Sequence, residues 1–485
     1  MTHSIEKIGG TSMSDYAAIR NNIVFRGAKK RQVYRRAFVV SAYGGITDLL
    51  LEHKKSGEPG VYALFADAEE GDSWQQALDA AERRMLDINH ELFSDNKQCG
   101  YADSFISGRI QDTRQCLADL ERLCRHGHFE MNIHLMTVRE MLASLGEAHS
   151  AWNMAFLLRN EGLNARFIDL TGWDAEKHLT LDERIKQELA GVDFDSELPV
   201  VTGYAHCSEG LMATFDRGYS EMTFSRIAVL TEAEEAVIYK EYHLSSADPR
   251  IVGDDNAVPI GRTNYDVADQ LANLGMEAIH PKAAKGLRQS GIPLRVMNTF
   301  EPNHHGTLIT GDYVSETPRV EIIAGRENVY ALELFDQDIV GSSAKYYQMI
   351  LGIIGRFKAT IVTIDTNANT ITHYLAGNLK TIKRIQSTVE AEYPECELNL
   401  RKVSIVSAIG SDMKIPGMLA KTVAALADSG IGVQAMHQSM RQVDMQFVVE
   451  CEDYRNAVKS LHECMIEVYD HGQAICAAQP AAIAR

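Results

Sequence analysis

Ile5-Glu6-Lys7-Ile8-Gly9-Gly10-Thr11-Ser12 reads as a short strand ending in two glycines and two hydroxyls. Glycine lets backbone N–H groups come close to an anion, and Lys7 adds a point charge two positions before the turn. These residues suit a phosphate cradle; the other reading is an ordinary strand–turn with a solvated lysine. The G-x-x-x-x-G-K-[ST] phosphate loop does not occur in the chain.

The pattern returns at Ser41-Ala42-Tyr43-Gly44-Gly45-Ile46-Thr47-Asp48, where the strand at residues 37–41 opens into glycines and a helix start. Helix starts of this kind bind carboxylates and phosphates, although Thr47 or Asp48 could be simple caps. A third polar turn, Arg217-Gly218-Tyr219-Ser220-Glu221, carries an arginine whose planar fork matches a carboxylate, or else a surface arginine in a polar loop. Further strands at 167–170 and 199–203, alternating with helical segments, imply a largely parallel sheet covered on both faces. Loops at the ends of parallel strands share one edge of the sheet, where ligand sites of α/β proteins form. Met131–Asn160 reads as a long helix on which Ser144 and Glu147 face the same way.

Beyond a polar linker at 312–318 the chain repeats itself. One unit begins with a strand at 328–335, a helix through Tyr347, Leu351 and Ile354, and a strand at 360–364. The second has a strand at 404–409, a helix with Pro416 near its first turn, a strand at 432–436, and a final strand alternating Val443, Met445, Phe447 and Val449. Two tandem β-α-β-β units expose sheet edges that want a partner.

The bulk numbers narrow the function. At roughly 150 residues per domain, 485 residues suggest about three domains. With 45% hydrophobic and 24% charged residues the profile is that of a soluble globular protein, and the net charge of −18 argues against polynucleotide binding. No stretch reaches the roughly 18 apolar residues of a membrane helix, no secretory leader is evident, and the eight scattered cysteines suit reduced thiols in the cytoplasm. His126, His128, His304, His305 and the run Lys29-Lys30-Arg31 read as solvated loops and faces, and no metal cluster is expected.

Taken together, the motifs resemble the aspartokinases of the amino acid kinase family. KIGGTS (7–12), VSAYGGIT (40–47), SLGE (144–147), DRGYSE (216–221), ADPR (247–250), His280-Pro281 and NTFEP (298–302) occur in that family's order over essentially the whole chain. The C-terminal repeats resemble its paired ACT modules. The resemblance implies an α/β fold: a parallel-sheet kinase domain (1–311), then two βαββ-type, ferredoxin-like ACT modules (319–397 and 398–470), with strands open to exchange between them.

It also implies an ATP-dependent kinase for the side-chain carboxylate of L-aspartate, with Mg²⁺ carried mainly by the nucleotide phosphates. Lys7 and Glu221 would be catalytic. Ser41, Thr47, Glu147, Arg217 and Ser220 would bind substrate, with Glu147 taking the α-ammonium group and Arg217 the α-carboxylate. Gly9, Gly10, Thr11, Ser12, Tyr239, Tyr242, Asp248, Arg250 and Lys282 would line the nucleotide. Lys414, Ile415, Pro416, Gln434, Gln438 and Ser439 would meet an amino-acid effector, and the modules would join a homodimer.

The chain departs from the family at 239–245 (YKEYHLS), at Glu277 in place of a lysine, and at Glu221 in place of aspartate; these departures resemble the ectoine-associated type. The alternatives are a catalytically weak amino-acid sensor and a kinase for another small amino acid.

Overall fold

The computed structural model describes residues 2–26, 33–54, 56–67, 73–126, 128–173, 178–215, 218–276 and 278–467. Its strands are β1 (Ser4–Ile8), β2 (Arg36–Val40), β3 (Ala165–Ile168), β4 (Leu198–Thr202), β5 (Glu235–Lys240), β6 (Arg262–Asn264), β7 (Leu294–Asn298), β8 (Thr307–Thr310), β9 (Ile322–Phe335), β10 (Thr360–Thr366), β11 (Thr370–Ala376), β12 (Glu397–Ile409), β13 (Ala435–Gln438) and β14 (Asp444–Val449). The chain forms two compact units. The first holds residues up to His243 together with Ile279–Gly311. The second takes in Leu244–Ala278 and the described chain from Asp312, so the first domain expected over 1–311 is interrupted by this segment.

In the first unit the strands run β3-β4-β2-β1-β5-β7-β8. All pair in parallel except β7 with β8. Runs such as Ala37-Phe38-Val39-Val40 are fully buried, as expected of strands covered on both faces. The chain leaves β1 toward β2 on one side and returns to β5 on the other. β1 and β5 therefore flank the point where strand order reverses, the usual ligand crevice of such sheets. Met131–Asn160 forms one helix, as the periodicity predicts, and is buried over most of its C-terminal two-thirds. The helices Ser73–Leu92 and Asn96–Cys124 make a hairpin beside it.

The second unit is a single antiparallel sheet, β10-β11-β9-β12-β14-β13, in which the two expected βαββ modules join through their strands. β9 and β12 pair from Glu397↔Phe335 to Ile409↔Ile322, so both repeats share them. Each repeat also has a second helix, Leu379–Glu392 in one and Tyr454–Met465 in the other, beside Ser343–Arg356 and Met418–Asp428. Pro416 lies before its helix, which starts at Met418 after Gly417, and the strand expected at 432–436 is β13.

Apolar side chains explain why Leu244–Ala278 belongs to this unit. Ile251, Ile260, Val267 and Leu271 share one core with Ile322, Ile405, Phe447 and Leu461. The Ile323 N–H donates to the Ser246 carbonyl at 2.7 Å, and the Ser246 hydroxyl meets His462 Nε2 at 2.9 Å.

Candidate functional site

Alternation along β1 and β5 sorts the site. In their parallel register Lys7 lies opposite Ile238 and Ile8 opposite Tyr239, which puts Lys7 and Lys240 on one face and Glu6 and Tyr239 on the other. On the first face Lys7 is 9% exposed, with Nζ 3.7 Å from Glu221 Oε1. The His280 N–H donates to Glu221 Oε2 at 2.5 Å. Burial pushes the Glu221 carboxyl up, but Lys7, Lys240 and the His280 backbone outweigh it and hold the group below its ordinary range. The result is a carboxylate paired with Lys7 and within the field of Lys240 at the strand-end crevice. Lys240 was not among the residues singled out in the sequence, because its approach to Glu221 depends on strand register.

The opposite face corrects one expectation. The Tyr239 hydroxyl donates to Glu6 Oε2 at 3.0 Å, and Glu6 is held bidentately by Arg36 at 2.6 Å. The Tyr239 ring is thus committed to an internal ion-pair network. Of the two tyrosines expected to meet a nucleoside, only Tyr242 is exposed, at 73%.

The glycine turn is tightly fitted. The Gly9 N–H donates to the Tyr239 carbonyl at 3.3 Å and so extends the sheet, leaving it spent on the protein rather than on a phosphate. A Cβ on Gly10 would lie 2.7 Å from the Ala42 carbonyl, so only glycine lets the two loops approach this closely. Thr11 is exposed, whereas the Ser12 hydroxyl is buried against Thr299 Oγ1 at 2.8 Å. Ser12 therefore fastens the turn to the Asn298–Pro302 stretch.

Beside this cluster lies a second one. The Ser220 hydroxyl donates to Glu147 Oε1 at 2.7 Å, and the Ser41 hydroxyl reaches Ser220 Oγ at 3.5 Å. The Ser150 hydroxyl ties the Ser41 carbonyl to the long helix at 2.8 Å. A Cβ on Gly203 would stand 2.8 Å from both Glu147 Oε2 and Ser220 Cβ, so the glycine at the end of β4 keeps this space open. Glu147 is 1% exposed, and burial pushes its carboxyl up to about 8 against the pull of Ser220, Lys7 and the backbone of Tyr204 and Ala42. Its Oε2 has no hydrogen-bond partner of good geometry. A buried carboxyl with one oxygen unsatisfied calls for a partner that the described protein groups do not supply. The Ser144 hydroxyl bonds its own helix at the Met141 carbonyl, and Thr47 is half-buried in the helix Ile46–Leu50.

The remaining expected residues scatter. The Lys282 ammonium reaches the Thr214 carbonyl at 3.5 Å and sits 4.9 Å over the Phe215 ring. Asp248 and Arg250 lie in the second unit, where they pair with each other at 2.7 Å. Arg217, Glu277 and the Lys29-Lys30-Arg31 run fall outside the described residues. In the second unit a polar cavity of 420 Å³ is lined by Glu333, Asp365, Asn399, Arg401 and Gln434 among others. Of the six expected effector residues only Gln434 reaches it. The Lys414 N–H caps onto Asp412 at 3.1 Å, and Gln438 pairs with Met445 between β13 and β14.

The model of the amino acid kinase family matches residues 4–298, and an ACT domain model matches 406–465. The aspartate kinase Ask_Ect of Stutzerimonas stutzeri is 55% identical over 476 residues, covering 98% of this chain and 100% of that relative. The aspartokinase of Candida albicans is 25% identical, over 96% of this chain and 90% of its own. Among solved structures, E. coli aspartokinase III in complex with aspartate and ADP superimposes with a TM-score of 0.71 at 20% identity, covering 96% of this chain and all of that one. The same protein in complex with lysine and aspartate gives the same score.

Proposed function

Since the chain belongs to the amino acid kinase family, we infer that it is an aspartate kinase, converting ATP and L-aspartate to ADP and 4-phospho-L-aspartate. The observation that carries this reading is similarity to an aspartate kinase along the whole chain. The two clusters at the strand ends supply a division of labour.

Phosphoryl transfer requires placement and charge neutralisation rather than a protein nucleophile. Lys7 is positioned to neutralise charge on the γ-phosphoryl group, with Lys240 beside it. Glu221 pairs with Lys7 at 3.7 Å and holds it at the end of β1. Glu147 offers its unsatisfied oxygen to the substrate α-ammonium group, while Ser41, Ser220 and Thr47 address the carboxylates. Arg217 is assigned to the α-carboxylate by its place in the DRGYSE motif.

Glu221, the carboxylate beside Lys7, is taken up by that lysine and the His280 N–H, so Mg²⁺ fits as a companion of the nucleotide. When bound, the ion would screen the charge of the ATP phosphates. The exposed Tyr242 and Lys282 fit the nucleotide side. Lys282→Ala is expected to raise the ATP KM by about two- to fivefold, the range of an exposed charge contact. An unchanged ATP KM would remove Lys282 from that side.

Regulation is assigned to the second unit. Strands β10 and β13 are its sheet edges, and β13 carries the exposed Met436, so a second copy pairing there would give a homodimer. The departures at 239–245 and Glu221 suit an ectoine-associated enzyme, for which lysine or threonine would inhibit only modestly. No described helix is long and apolar enough to cross a membrane.

The test is hydroxylamine trapping of the acyl phosphate formed from ATP and aspartate, repeated with lysine and threonine, beside a light-scattering mass. Hydroxamate formation with weak inhibition and a dimeric mass is the expected result. No hydroxamate would favour a catalytically silent amino-acid sensor, strong inhibition would overturn the weak-feedback assignment, and an active monomer would overturn the dimer.

A further inference from the structure

We propose that His90, Cys99 and Asp103 form a binding site for a thiophilic divalent cation, with Zn²⁺ the ion that fits their chemistry. Among the described residues this is the group in which three metal-ligating side chains converge, with ligand atoms all within 4.8 Å of one another. It belongs to neither cluster of the kinase site.

The hairpin of two helices builds it. Ser73–Leu92 ends two residues after His90, and Asp95 caps the next helix by accepting from the Gln98 N–H at 2.9 Å. That cap sets the phase of the second helix, on which Cys99 and Asp103 lie four residues apart and share one face. His90 Nδ1 stands 3.3 Å from Cys99 Sγ, and Cys99 Sγ stands 3.8 Å from Asp103 Oδ2. Zinc bonds of about 2.3 Å to sulfur and about 2.0–2.2 Å to nitrogen or oxygen, at tetrahedral angles, place such atoms about 3.6 Å apart. The two observed separations bracket that value and the third pair lies within 4.8 Å, so side-chain rotations would bring the three atoms onto one ion.

Two further features belong to a ligand set. Asn89 is fully buried and donates from Nδ2 to Asp103 Oδ1 at 2.9 Å, which holds the carboxylate and leaves Oδ2 turned toward the sulfur. Asn89 Oδ1 in turn meets His149 Nε2 at 2.7 Å and Asn153 Nδ2 at 2.8 Å, both on the long central helix. Ligating carboxylates are characteristically fixed by such outer hydrogen bonds. His90 is exposed, which leaves a solvent-facing position for water as a fourth ligand. A thiolate–imidazole–carboxylate set selects zinc-like ions over Mg²⁺, which demands oxygen ligands, so this site does not duplicate the ion that accompanies ATP. On binding, the Cys99 thiol gives its proton to solvent and the sulfur–metal bond takes its place. No sequence motif announces the site, since H-x₈-C-x₃-D converges only through the hairpin.

The experiment uses the full chain, stripped with a chelator and free of nucleotide and Mg²⁺. Zn²⁺ is titrated against a chromogenic competitor, and Co²⁺ is added in parallel as a spectroscopic probe. The wild type is expected to bind about one equivalent of Zn²⁺ tightly, melt at a higher temperature with Zn²⁺, and show a sulfur-to-cobalt charge-transfer band. Cys99→Ser and the exposed His90→Ala should each lose the tight equivalent, the band and the melting shift while keeping the wild-type circular dichroism. If Cys99→Ser fails to fold, His90→Ala decides alone. Equal Zn²⁺ affinity in wild type and variants, or a wild type without the band, would mean a hydrogen-bonded thiol only and would overturn the proposal.

Discussion

Replacing Lys7 by alanine is expected to lower kcat by about 10²–10³-fold, the usual cost of removing one preorganised group that stabilises transition-state charge. The aspartate KM should change far less, because the lysine acts on charge that develops during transfer rather than on the bound amino acid. The geometry makes the case: Lys7 stands on the central strand at the reversal point, almost fully buried, with a carboxylate 3.7 Å from its ammonium. A buried cation is costly unless paired, so Glu221 accounts for its stability there and an incoming phosphate for its use. Steady-state kinetics on a variant with unchanged circular dichroism makes the comparison; a kcat within a few-fold of wild type would place Lys7 outside the reaction.

Glu147→Gln tests the amino-acid side and carries a pH signature. The carboxyl, raised by burial to about 8, is mostly protonated at neutral pH in the ligand-free protein, whereas an ammonium partner requires the carboxylate. Aspartate binding should therefore release roughly one proton per molecule bound near pH 7, and affinity should rise as pH increases toward 8. The stability effect has the opposite sign. The folded-state value lies above the ordinary 4.5, so this group's contribution is fully present below about 4.5 and is lost as pH rises through about 8. In Glu147→Gln both trends should vanish, and aspartate use should weaken by about ten- to a hundredfold, equivalent to losing a charge-assisted hydrogen bond of roughly 1.5–3 kcal/mol. Calorimetry of aspartate binding in buffers of different ionisation enthalpy reads the proton. Wild-type binding with no proton release would show that Glu147 does not receive the ammonium group.

The parts of this site that could be read from the sequence were those whose chemistry is local. A strand ending in Gly9-Gly10, a second in Gly44-Gly45, and a helix with Ser144 and Glu147 on one face are each visible from neighbours a few residues away, although each alone also had an ordinary structural reading and the family resemblance supplied the roles. Parallel strands then bring such turns together without further instruction. What depends on register or on distant partners was hidden. Tyr239 and Lys240 are adjacent in sequence, yet alternation sends one to Glu6 and the other toward Glu221. The N–H of Gly9 looked available to a phosphate until β5 supplied its acceptor. In the second unit, two repeats were visible as hydrophobic patterns. That β9 and β12 run on through both was not, because the alternation carried by Leu398 and Leu400 breaks at the charged pair Arg401-Lys402 before the apolar run resumes at Val403. Leu244–Ala278 could not be assigned from composition, since its apolar residues would suit either core.

That inserted segment bears on modularity. Because the second unit is assembled from two stretches of chain, the polypeptide passes between the units three times within the described residues, after His243, after Ala278 and after Gly311. A stop codon at 312 would not yield an unregulated kinase. It would strand Ile251, Ile260, Val267 and Leu271 with the core that shelters them gone, inviting aggregation and proteolysis. Grafting a foreign effector module would likewise require replacing two segments in concert. Gene fusion at a single joint, the easiest way for evolution or an engineer to exchange a domain, is closed to this chain, and changes in its second unit must come from substitutions within the unit it already has.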